Sequence, residues 1–203
     1  PTRPEAWFVS AMRRDVDPER RLADLAQAER LGLPKQRVDL ARGVLLRVAG
    51  RGPEDTVGAG IEPDPADLEA CWLRAAIDEL DGRNDAALAR LDAVIQAGEP
   101  GQRVYGNALL VRARLHMRAQ RYGDALRDLV AYRAQFPAER PVPPTDARIV
   151  WLWKRLGKPD EAEHQLEATL ATYGRVAGAK SYWRLGLQLR DDGEEPWAKR
   201  VLA

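Results

Sequence analysis

One recurrence constrains this chain more than any other feature. Ala87, Ala125, Ala162 and Ala198 stand 38, 37 and 36 residues apart, each just after a short turn-forming break: Asp81-Gly82, Arg121-Tyr122-Gly123, Gly157-Lys158-Pro159 and Asp191-Asp192-Gly193. Between the breaks, apolar residues recur three and four apart, the spacing of an amphipathic helix. β-Branched residues are few and no segment alternates in the manner of a strand. The spacing predicts helices over 66–80 and 85–97, then one over 102–120 followed, after Arg121-Tyr122-Gly123, by a partner carrying Ala125, Leu126, Leu129, Val130 and Phe136 that Pro137 stops. It continues with 145–156, where Thr145 or Asp146 can cap the first turn, then 160–173 ended by Gly174, 180–189 and 196–202. A fixed period of paired helices implies repeated units that bury their apolar faces on one another.

These residues resemble the tetratricopeptide repeat, a helical hairpin of about 34 residues with a small residue early in its second helix and often a closing proline. Arg121-Tyr122-Gly123-Asp124-Ala125-Leu126, followed by Leu129 and Pro137, carries the resemblance best. Gly82 to Leu88, Gly157 to Ala162, and Leu185-Gly186 with Gly193 to Ala198 carry it elsewhere. The small residue of the first helix is Gly186 in one unit and Ala75, Ala113 and Val150 in the others, and Pro141-Val142-Pro143-Pro144 lengthens one spacer. The resemblance implies an all-α fold, a right-handed superhelical solenoid of antiparallel helix pairs. Four TPR-like hairpins are expected, at about 66–101, 102–140, 141–177 and 178–203.

Residues 1–64 read as degenerate helical repeats continuous with the rest: a short helix from Glu5, one from Asp17-Pro18 with Leu22, Leu25 and Ala28 on a stripe, and one over 35–49. Residues 51–64, rich in Gly and Pro, are the candidate irregular loop or linker. In a solenoid each hairpin packs only on its neighbours, so one continuous array is expected.

Composition narrows the function classes. The 203 residues carry 32 Lys and Arg against 31 Asp and Glu, a net charge of +1, which disfavours nucleic acid as the partner because phosphate binding needs a surplus of cations. The longest apolar run, Ile149 to Trp153, ends in Lys154-Arg155 and is far short of the ~18 residues of a membrane span. Pro1 stands where an initiator Met would, which reads as a fragment or a processed chain. The lone Cys71 tilts the expected compartment towards the cytoplasm and leaves the periplasm open.

Chemistry-bearing groups are sparse. With two His, one Cys and no Gly-rich phosphate loop, no nucleophile and base can be paired, so no catalytic residue, metal or cofactor is expected. Glu161 and His164 have the i, i+3 spacing of di-iron ligands but no second such pair. His116 and Cys71 read as packed structural residues.

The resemblance also implies that first-helix side chains line a concave surface. The matching positions are Trp72, Leu110, Arg114, Met117, Arg118, Trp151, Lys154, Arg155, Trp183, Leu187 and Arg190. Cations beside indole and Leu suit a protein or peptide with acidic groups and an apolar anchor. The expected function is therefore a non-catalytic protein-interaction scaffold. Its alternatives are the recruiting or regulatory part of a larger enzyme or assembly, and a helical-repeat nucleic-acid binder. Self-association through the short last helix is a further expectation.

Overall fold

The computed structural model describes residues 2–13, 16–50, 57–136, 142–176 and 179–202. Among the described residues there are eleven helices and no strand. They are α1 (Pro4–Ala11), α2 (Pro18–Arg30), α3 (Lys35–Val48), α4 (Leu68–Leu80), α5 (Asn84–Ala97), α6 (Arg103–Arg118), α7 (Tyr122–Arg133), α8 (Pro143–Arg155), α9 (Pro159–Val176), α10 (Ala179–Asp191) and α11 (Glu195–Leu202). The expected stop at Pro137, the break at Gly178, Pro141 of the spacer and residues 51–56 of the irregular loop lie outside the described residues.

Five hairpins, α2–α3, α4–α5, α6–α7, α8–α9 and α10–α11, close through one and the same turn. In each, a residue with positive φ follows the first helix: Gly32, Gly82, Gln120, Gly157 and Gly193. Its N–H donates to the carbonyl three residues back, and the next N–H donates to the carbonyl five back. The pairs Gly82 to Glu79 and Arg83 to Asp78, at 3.1 and 2.8 Å, repeat as Gln120 to Met117 and Arg121 to His116, at 3.0 and 2.8 Å. These two bonds satisfy carbonyls that the helix end would otherwise orphan, and the left-handed residue they require is most easily glycine. The turn then points the chain back along the helix it has just left.

The aligned alanines lie where the returning helix crosses its partner. Ala87, Ala125 and Ala162 are fully buried and Ala198 is 2% exposed. The small positions of the first helices, Ala75, Ala113, Val150 and Gly186, are buried as well. At Gly186 a Cβ would stand 2.5 Å from Leu202 Cγ, so α11 lies against bare backbone there.

The helices fall into two compact units, Pro1–Ala108 and Leu109–Ala203, divided within α6. The first unit is organised around Phe8, Leu25, Val38, Leu40, Leu73 and Ile77. The second has two clusters, one around Ala113, Leu129, Ile149 and Leu152 and the other around Val150, Leu166, Tyr173, Leu185 and Leu189. Each fully buried Leu or Ile contributes about 1.5–3 kcal/mol.

Several helix ends differ from the sequence expectation, α7 ending at Arg133 short of Phe136 among them, and at two the physical reason is plain. Helix α8 begins at Pro143 rather than Thr145, because proline is suited to a first turn in which its missing N–H has no helical partner anyway. Asp146 then reaches back to accept from the Val142 N–H at 3.1 Å, and also accepts from Arg133 Nε at 2.9 Å and the Tyr173 hydroxyl at 2.7 Å. Helix α9 runs through Gly174 to Val176 instead of ending at Tyr173. That hydroxyl contact and the burial of the Tyr173 ring hold the end of α9 on α8, outweighing a glycine penalty of about 1 kcal/mol.

Candidate partner-binding site

The expected site residues divide by unit. Trp72 belongs to the first unit, where α4 carries it half-buried against the core, its buried Nε1 without a hydrogen-bond partner among the described residues. The others belong to the second unit. Leu110 and Met117 on α6 and Trp151 on α8 flank the cluster of Ala113, Leu129 and Ile149. Here the fold gathers three of the predicted side chains at one core edge.

Trp151 is the best-defined of them. Tyr122, at the start of α7, stands 5.6 Å away with the rings at 89°, an edge-to-face pair. Arg155, one turn further along α8, holds its guanidinium 5.0 Å from the Trp151 ring centroid. Arg155 is exposed and has no carboxylate partner among the described residues. A guanidinium over an indole face is attracted by the ring quadrupole and keeps its N–H edges for another acceptor.

Arg114 and Arg118 lie one turn apart on α6, the first half-buried and the second exposed, and both are engaged within the protein. In the repeat register Arg118 and Arg155 are equivalent, as are Arg114 and Trp151. Lys154 has a different task. It forms an ion pair with Glu194, itself 7% exposed in the α10–α11 turn, and lies 5.3 Å over the Trp197 ring. Its charge is spent inside the unit. On α10, Trp183 is 57% exposed, Leu187 half-buried, and Arg190 exposed with Asp191 at 3.4 Å.

The residues set aside as structural also have definite places. Trp153 lies under Lys158, whose Nζ is 5.2 Å from the ring, and borders an open surface depression with Asp160, Glu161, His164 and Gln165. Glu161 and His164 are both exposed, and Glu161 is 3.8 Å from Lys158. Among the described residues no group of three or more His, Cys, Asp or Glu is placed to hold a metal ion. Cys71 is half-buried, with its thiol 3.4 Å from the Asp64 carbonyl oxygen. Burial first, and then the Asp67 carboxylate, pushes its pKa up, away from the thiolate.

Sequence reasoning missed the buried polar clusters. Asp78 on α4, 1% exposed, accepts from Arg83 at 2.7 Å and Arg90 at 2.9 Å, with Arg74 at 3.4 Å. Asp128 on α7, 3% exposed, accepts from Arg112 Nε at 2.9 Å, and His116 Nε2 lies 3.8 Å away. The one available signal was an arginine twelve or sixteen residues from an aspartate across a turn, which in a chain so rich in both is hardly distinctive.

Neither a family model nor a curated protein matches this chain. Among solved structures it is similar to MamA MSR-1 C2, at 19% identity and a TM-score of 0.53, with 83% of this chain and 92% of that one covered. MamA is a tetratricopeptide-like helical solenoid. At this identity the likeness shows the fold: an all-α array of antiparallel helix pairs of that kind. No helix among the described residues is long and apolar enough to cross a membrane.

Proposed function

We propose that this protein is a non-catalytic interaction module of the tetratricopeptide type, which holds a protein or peptide partner on the second unit. The observation that carries the reading is the Arg155–Trp151–Tyr122 arrangement. An exposed cation is fixed over an indole that is itself braced by a second ring, so acidic and apolar groups of a partner could be met side by side. Arg118, at the equivalent position one hairpin earlier, extends the cationic row, and the exposed Trp183 offers a further apolar anchor. Such a partner carries carboxylates beside an aliphatic or aromatic side chain. The MamA-like fold supports the reading at the level of architecture, since stacked hairpins build extended surfaces.

The test is affinity capture with the intact chain as bait, beside a variant carrying Arg155→Glu. Lys154 is left unchanged because its loss would break the contact with Glu194. Circular dichroism first establishes that both baits are equally helical. One protein captured by the native bait and lost from the variant is the expected result. Capture that ignores the charge swap, or an eluate dominated by nucleic acid, overturns it.

A further inference from the structure

Residues 57–62 have the contacts of a bound peptide although they belong to the chain itself. Arg74 Nη1 donates to the Gly58 carbonyl at 2.8 Å and also to that of Ala59, and Arg47 Nη1 donates to the Val57 carbonyl at 3.1 Å. Gln36 Nε2 donates to the Glu62 carbonyl at 3.0 Å, and Arg90 grips the Glu62 carboxylate with both terminal nitrogens, one of them at 2.9 Å. Ile61 inserts against the first unit's core. The groove floor is made for backbone: at Gly43 a Cβ would collide with the Val57 carbonyl oxygen, and Gly58 lies on Ile77 with a φ of 81°.

The clamp is held from behind, independently of what lies in it. Arg90 and Arg74 both reach Asp78, and Arg47 pairs with Asp81 at 2.6 Å. With these arginines anchored on their own carboxylates, little ordering is left to be done when a peptide enters. The segment, by contrast, is a poor occupant. Its Glu62 side chain is 68% exposed, where water screens an ion pair and leaves it little net attraction. Between Val57 and Ile61 it offers only glycine and alanine, and the buried Nε of Arg74 has no partner among the described residues.

We propose that Val57–Glu62 is a displaceable internal ligand covering a peptide site in the first unit, and that the site takes in trans a glycine-bearing turn that ends in an apolar residue followed directly by an acidic one. The clamped carbonyls would be those of the incoming backbone. Arg90 would read the carboxylate, and the space under Ile61 the apolar side chain. This site is separate from the surface proposed above and does not depend on it.

A fluorescein-labelled peptide with the sequence of residues 57–63 and an amidated C-terminus tests this by anisotropy. It is titrated into the intact chain and into the full chain carrying Ile61→Ser and Glu62→Ala, which frees the groove. The freed variant, verified as helical, is expected to bind about ten-fold tighter than the native chain. A peptide with Gln in place of its Glu should bind about five-fold more weakly. No binding to the folded variant, or equal binding of the two peptides, overturns the proposal. Hydrogen exchange of the native chain gives an answer even if that variant unfolds: the Ile61 amide, which donates to the Gly58 carbonyl, should exchange about a hundred-fold faster than amides of central α4, and equal protection would mean that the segment never leaves separately.

Discussion

The hairpins α4–α5 and α6–α7 each gather arginine around one buried aspartate, but on opposite helices. In the repeat register Asp78 of α4 corresponds to His116 of α6, and Arg90 of α5 to Asp128 of α7, while Arg74 and Arg112 coincide. The first hairpin sends its arginines from both helices to an aspartate on the first helix; the second sends an arginine and a histidine from its first helix to an aspartate on the second. One hairpin later the two positions hold Trp153 and Gln165, and then Leu189 and Val201. What repeats is therefore a contact between two helices, and its chemistry is free to change provided both sides change together. An unmatched half of such a pair would leave a buried charge alone, which is far worse than either solution.

Removing one side is thus the strongest way to separate the two hairpins. Asp78→Ala should cost about 3 kcal/mol, because Arg74, Arg83 and Arg90 lose a shared, desolvated partner. Asp128→Ala should cost less, about 2 kcal/mol, since among the described residues Arg112 alone hydrogen-bonds to it directly. Urea denaturation of both variants measures the difference. Equal losses would mean that the number of arginines around the aspartate does not matter.

A smaller effect is expected where hairpins differ in a side chain rather than a charge. Val150 and Gly186 share a register, but only at the second would a Cβ strike the Leu202 side chain. Gly186→Ala should therefore cost about 1–3 kcal/mol by pushing α11 outward. The emission of Trp197, which packs on the same cluster, would report the shift. Adding Leu202→Ala should recover part of the loss. If Gly186→Ala is neutral, α11 is not seated against that backbone.

These differences also mark what could be read before the structure. The helices, their pairing and the crossing alanines were legible because turn chemistry and apolar spacing are local signals, and Ala87, Ala125, Ala162 and Ala198 are indeed buried. Helix ends were less so: the Pro143-Pro144 start looked like spacer, and Gly174 looked like a stop. Of the proposed site, the neighbourhood of Trp151 with Arg155 followed from their four-residue spacing. Tyr122 as its brace and the capture of Lys154 by Glu194 depend on contacts 29 and 40 residues apart in the chain. No local pattern encodes those.

The turns allow a gentler comparison. Four of the five use glycine at the left-handed position, and the α6–α7 turn uses Gln120 with a φ of 58°. A side chain there strains the backbone by about 1–2 kcal/mol, part of which glycine gives back through its freer unfolded chain. Gln120→Gly should thus stabilise by about 0.5–1 kcal/mol, and Gly82→Gln should destabilise by a similar amount. A thermal melt in which Gln120→Gly lowers Tm would show that the glutamine side chain is held by contacts worth more than the strain.

The smallest effect separates the hairpins by pH. His116 is half-buried, its Nδ1 has no hydrogen-bond partner among the described residues, and burial lowers its pKa from 6.5 even though Asp128 pulls the other way. A histidine whose folded pKa lies below its unfolded value stays neutral in the native state while the unfolded chain takes up the proton. Its contribution is therefore fully present above about pH 6.5 and is lost as the pH falls through that value towards the folded pKa. The native protein should lose stability between pH 7.5 and 5.5 (about one unit either side of the histidine pKa), and His116→Gln should lose less over the same range. The corresponding α4 position holds Asp78 in place of a histidine. Identical pH slopes for the native chain and His116→Gln would mean that Asp128 compensates the burial in full, and that the imidazole is as easily charged between α6 and α7 as in water.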